Sequence, residues 1–235
     1  FYRGTLVDDP TGIKQFDYQY IYLNGGPLQR PDGSANRASW RIFDPPYGYE
    51  GKKLVQSLRE AWKGGSIPTV VYYNLMCPNE SAQIASDNIR NRPFVASYFE
   101  DLKFSLDMIR RAANGSTVSL IMEPDFLAYM MQVTYSQGVQ ADPSTVLLGY
   151  DVVQLAKEQG LISPDSTLGG GAGSSLVDFV KVINEGVRYL STKAGTNERA
   201  NIQLGWKFNL WANQRQSAPD GQSWNQGIAK VTDYF

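Results

Sequence analysis

Two carboxylates flank a proline in Glu123-Pro124-Asp125, directly after the uncharged run Val118 to Met122. A short apolar run of this kind is the pattern of a strand buried on both faces. Pro124 lacks a backbone donor and biases Glu123 toward an extended conformation, so the strand is expected to stop there. Phe126 to Gln132 then reads as helix. Acidic residues where a parallel strand gives way to its helix lie where α/β folds place their chemistry. The chemistry open to them is proton transfer.

What the chain lacks narrows this further. It contains no histidine, which excludes Ser-His-Asp and Cys-His nucleophiles and His-ligated zinc or iron. Acid–base work falls to Asp, Glu, Tyr or Lys. The single cysteine, Cys77, has no internal partner for a disulfide. Gly169-Gly170-Gly171-Ala172-Gly173 is not followed by the Lys-Ser/Thr of a phosphate loop, and neither a cofactor nor a metal is expected. A net charge of -1 gives no electrostatic footprint for nucleic acid or an anionic membrane. No run of about 18 apolar residues indicates a span. The chain opens on Phe1-Tyr2-Arg3 without Met, so a removed leader and an extracellular location are expected.

The elements that must hold these residues alternate. Residues 16–23 form an aromatic and β-branched strand closed by Asn24-Gly25-Gly26. A long Gly- and Pro-rich loop follows to Tyr49 and carries Trp40. Residues 51–62 read as helix, 67–75 as a buried strand, and 77–91 as a polar crossing with an amphipathic tendency. Residues 93–113 form a helix with Phe94, Tyr98, Leu102, Leu106 and Ile109 on one side. Beyond the 118–122 strand come helices at 126–135, 152–159 and 176–190, the last with Ser174 as its N-cap. A strand is expected over 202–211 and the start of a helix over 227–235. Repetition of β and α units predicts a parallel sheet. A full barrel needs about 250 residues or more. Residues 1–235 therefore read as one (β/α) barrel-like domain of the TIM type, distorted or incomplete, or as an open sheet.

Two segments together resemble glycoside hydrolase family 6, the cellobiohydrolases and endoglucanases of β-1,4-glucan. One is Val70-Val71-Tyr72-Tyr73-Asn74-Leu75 with Asn79-Glu80-Ser81-Ala82-Gln83-Ile84-Ala85-Ser86, similar to the family's V-V-Y-D-L and D-R-D-C-A-A-L-A-S. The other is Ile121-Met122-Glu123-Pro124-Asp125-Phe126-Leu127, similar to I-E-P-D-S-L. The separation of Glu80 from Asp125, 45 residues, is close to the family's. The resemblance implies that Asp125 is the general acid, that Glu80 keeps its pKa high by like charge, and that Tyr72 lies beneath the distorted sugar. It implies metal-independent hydrolysis with inversion on a β-linked polysaccharide. Ser81 stands where the family has cysteine, and Glu80 is longer than the family's Asp. The second carboxylate that inversion requires is reached only by elimination, as Asp220 or Asp233.

Each residue also has a plainer role. Asp125 could be a helix N-cap and Glu80 a partner of a helix dipole. Tyr72 and Tyr73 alternate across a strand, so one of them faces the core whatever the function. Trp206 and Trp211 point to opposite faces, which leaves Trp211, with Asn209, as the sugar contact; Trp40, Tyr73 and Glu123 complete the substrate-binding set. Two further functions stay open: a carbohydrate-binding pseudoenzyme without a base, and an assembly protein whose half-barrel is completed by a second chain or a missing C-terminal segment.

Overall fold

The computed structural model describes residues 17–42, 50–136, 142–192 and 197–207. Four strands are present among them: β1 (Tyr18–Asn24), β2 (Ile67–Tyr73), β3 (Thr117–Met122) and β4 (Asn201–Trp206). Six α-helices connect them: α1 (Lys52–Lys63), α2 (Ala82–Arg90), α3 (Arg92–Ala113), α4 (Phe126–Ser136), α5 (Val152–Glu158) and α6 (Leu176–Leu190). The strands lie in the order β1-β2-β3-β4, every pair parallel. A mixed α/β fold with a parallel sheet is what the βα repetition predicts. Parallel neighbours require crossovers, and the helices supply them.

The helices form because their apolar residues recur at helical spacing and their ends are capped. In α1, Leu54, Val55, Leu58 and Ala61 are buried. Asn91 closes α2 and accepts the Phe94 N–H to cap α3, with Pro93 in the first turn; Asn114, in the left-handed region, ends α3. The polar crossing after β2 therefore contains a real helix, α2, capped by the Ser81 hydroxyl on the Ile84 N–H. The cap of α6 is one residue later than expected. Ser175 donates its N–H to Asp178, while Ser174 accepts from the Val152 N–H and donates to the Gly171 carbonyl.

One face of the sheet carries the core. Leu23, Val70, Tyr72, Val118, Leu120 and Met122 pack against Leu58, Phe94, Tyr98, Phe126 and Phe179. Phe179 of α6 stacks on Phe99 of α3 at 5.8 Å and meets Phe126 of α4 at 5.9 Å, so one ring joins three helices. Complete burial of such a ring contributes about 1.5–3 kcal/mol. The other face is more open. On β1, Tyr18, Tyr20 and Tyr22 are exposed, and on β3, Thr117, Ser119 and Ile121 are half-buried. The expectation that β3 is buried on both faces is thus corrected: its burial alternates with the pleat.

Two further expectations change. Strand β2 stops at Tyr73 rather than Leu75, because the Asn74 and Leu75 amides turn to a side chain instead of a neighbouring strand. The loop after β1 is ordered over its described part. Gln29 bridges Ala35, and Asn36 donates to the Gly25 and Pro27 carbonyls. The expected helix start at 227–235 and the strand beyond Trp206 lie outside the described residues, apart from Lys207.

Candidate active site

Because all four strands are parallel, their C-terminal ends share one edge, which carries Asn24, Tyr73, Met122 and Trp206. Tyr73 points away from the helices, opposite to Tyr72, and is half-buried. Glu80 lies exposed in the loop from β2 to α2. Asp125 lies in the turn from β3 to α4, and Tyr129 is one helical turn further on, its N–H bonded to the Asp125 carbonyl at 3.0 Å. Both carboxylates act on both phenols. Burial first, then Glu80 and Asp125, raises Tyr73 far above the ordinary range. Tyr129 is raised by burial and then by the same two acids. The Tyr73 hydroxyl is buried and turned toward Glu80 without completing a hydrogen bond. Glu80, Asp125 and Tyr73 are thereby brought to one place from three segments of the chain.

Tyr72 is elsewhere. It is fully buried on the helix face, and its hydroxyl donates to Asp101 Oδ2 at 2.7 Å. Trp40 Nε1 donates to the same oxygen at 2.8 Å, and the Trp40 ring packs beside Phe104. Trp40 is thus a core ring that presents no open face to a sugar. Asp101 Oδ1 has no partner. Burial pushes Asp101 up to about 6, against the pull of the Trp40 and Tyr72 hydrogen bonds. Asp101 was not anticipated, yet a signal existed. It lies three residues after Tyr98 and seven after Phe94, on the apolar side of α3. An acid there must find donors in the interior.

Glu123 is also fully buried. Its Oε1 accepts the Asn74 N–H at 2.9 Å and its Oε2 the Leu75 N–H at 3.1 Å. The Tyr98 hydroxyl is turned toward the same carboxyl without completing a hydrogen bond. Burial pushes Glu123 up to about 8; the two amides and Tyr98 act in the opposite direction, and Asp101 adds to the rise. Its φ is 39°, in the left-handed region, where an extended conformation was expected before proline. Glu123 therefore stands behind the edge rather than on it.

The substrate-binding candidates Asn209 and Trp211, and the bases reached by elimination, Asp220 and Asp233, lie outside the described residues. Among the described residues no group of three or more His, Cys, Asp or Glu is placed to hold a metal ion, and no helix is long and apolar enough to cross a membrane.

No protein-family model matches this chain. Neither does any curated protein or solved structure. The functional reading therefore rests on the geometry of the carboxyl edge and the sequence motifs found there.

Proposed function

We propose that the chain is a glycoside hydrolase acting on a β-linked polysaccharide, related to the family 6 enzymes, with its sheet forming part of a (β/α) barrel. The observation that carries this reading is the convergence of Glu80 and Asp125 on the same two phenols at the carboxyl edge of a parallel sheet. Cleavage with inversion requires an acid at the glycosidic oxygen and a second carboxylate about 6.5–9.5 Å away to activate water. Asp125 is the proton donor and Glu80 its partner at the site. Tyr73, not Tyr72, is the ring that meets the sugar. The base comes from another part of the polypeptide, no metal takes part, and the enzyme works outside the cell.

Reducing-sugar release from a soluble β-1,4-glucan, measured beside binding to the same glucan, tests the reading. Asp125→Asn is expected to lower turnover by about 10²–10⁴, the usual contribution of a general acid, with binding retained. Unchanged turnover rejects the assignment. The exposed row Tyr18, Tyr20 and Tyr22 favours a second reading, in which the chain binds glycans without cutting them. Binding by the wild type with no release at all is the outcome that selects it.

A further inference from the structure

We propose that Glu123 is the positioning residue of the carboxyl-edge site, transmitting its own protonation state through the Asn74 and Leu75 amides to the loop that carries Glu80. The inference rests on the reading of Glu80 and Asp125 as the site. The last backbone bond between β2 and β3 runs from the Glu123 N–H to the Tyr72 carbonyl. Past that point the segments leaving β2 and β3 are joined by the Glu123 side chain, which reaches two consecutive amides of the departing loop. The same residue starts the other arm of the site. Its carbonyl accepts the Phe126 N–H at 3.0 Å, forming the turn that holds Asp125.

The loop between these anchors has little freedom. Asn74 accepts from the Gly26 N–H and donates to the Leu23 carbonyl. Asn88 donates to the carbonyls of Leu75 and Cys77, and Ser81 caps α2. A change in pull at Asn74 and Leu75 is therefore passed along the backbone to Glu80. The titratable groups that face Glu123 are Tyr72 and Tyr73 of β2 and Tyr98 and Asp101 of α3. Arg41 and Glu100 act on Asp101 in turn. An ionised carboxylate is an acceptor only and suits two N–H donors. A protonated one places a donor beside the Leu75 amide, the longer of the two bonds. The amides favour the charged form, so by linkage the charged form holds the amides harder.

The test follows the backbone amides of Asn74, Leu75, Glu80 and Ser81 by NMR from pH 5 to 9, together with the Glu123 carboxyl carbon. In the wild type the four amides and the carboxyl are expected to shift with one common midpoint near 8. In Glu123→Gln the shared step should be lost, while Glu60→Gln on the outer surface of α1 should retain it. Midpoints that differ between the carboxyl and the Asn74 and Leu75 amides overturn the proposal, a comparison made on the wild type alone. A Glu80 amide that does not follow the titration overturns it too. If the amides follow Glu123 while Asp125→Asn leaves glycan release unchanged, the clamp stands and the hydrolase reading falls; the reverse pattern removes only the clamp.

Discussion

Two acids sealed in the core should make this protein less stable as the solution becomes more alkaline. Glu123 has an ordinary value of 4.5 and is pushed up to about 8 in the fold. Through that window the folded chain keeps a proton that the unfolded chain has released, so stability falls as pH rises. One group contributes about 1.4 kcal/mol for each pH unit of the window, roughly 5 kcal/mol across it. Asp101, moved from 3.8 to about 6, acts in the same direction at the acid end. Asp101 is already half ionised at pH 6, so Glu123 dominates the interval from pH 6 to 8, and there the wild type is expected to lose about 2–3 kcal/mol. Against a total of about 5–15 kcal/mol for a typical domain, that is a large fraction. Urea denaturation followed by tryptophan fluorescence at pH 6, 7 and 8 measures it. Glu123→Gln cannot ionise. Its amide group loses an acceptor beside Leu75 at every pH, a constant cost of about 1–3 kcal/mol, so the slope and not the offset is diagnostic. The variant should be nearly flat from pH 6 to 8, with only the small tail of the Asp101 titration left near pH 6. A wild type whose stability is flat or rises, or a variant with the same downward slope, refutes the reasoning.

Two shorter predictions probe the same interior. Tyr72→Phe leaves Asp101 Oδ2 with Trp40 as its one remaining donor, beside an Oδ1 that already lacks a partner. The loss should be about 1–3 kcal/mol by urea denaturation, and the Asp101 carboxyl should titrate at higher pH by NMR. Gly186→Ala should destabilise although alanine is the better helix former, because its Cβ would stand 2.7 Å from Leu161 Cγ and 3.2 Å from the Leu161 carbonyl oxygen. The expected cost is about 1–3 kcal/mol in thermal or urea unfolding, and Leu161→Ala in the same chain should relieve part of it.

The scaffold was legible because its signals are local. Periodicity in α1, α3 and α6 and the apolar runs of β2 and β3 come from residues a few positions apart, and the βα alternation implies parallel pairing. The position of α2 was less clear, because its caps at Ser81 and Asn91 are polar and its buried face includes Ser86 and Asn88. What the sequence concealed was mostly phase and depth. In β2 two adjacent tyrosines differ by one pleat. The resemblance to family 6 points to Tyr72, but the pairing of Leu23 with Tyr72 and Asn24 with Tyr73 turns the first toward the helices and the second toward the acids.

Depth is the harder quantity, and Glu123 illustrates why. Its partners are the amides of Asn74 and Leu75, 49 and 48 residues away. Nothing near Glu123 in the chain marks those donors as vacant; they become so only because β2 ends one pleat before them. The same holds for Trp40, which lies in a loop of glycine and proline yet is drawn inward by Asp101, 61 residues away. Polar residues that serve the interior and polar residues that serve the edge look alike until the sheet is assembled. Here the assembled sheet divides the two tyrosines at the end of β2: Tyr73 is acted on by Glu80 and Asp125, while Tyr72 lies in the core, where Glu123 is buried too. Any chemistry at that edge is thus held from below by an acid whose own ionisation costs the fold stability, so function and stability should respond to pH through the same carboxyl.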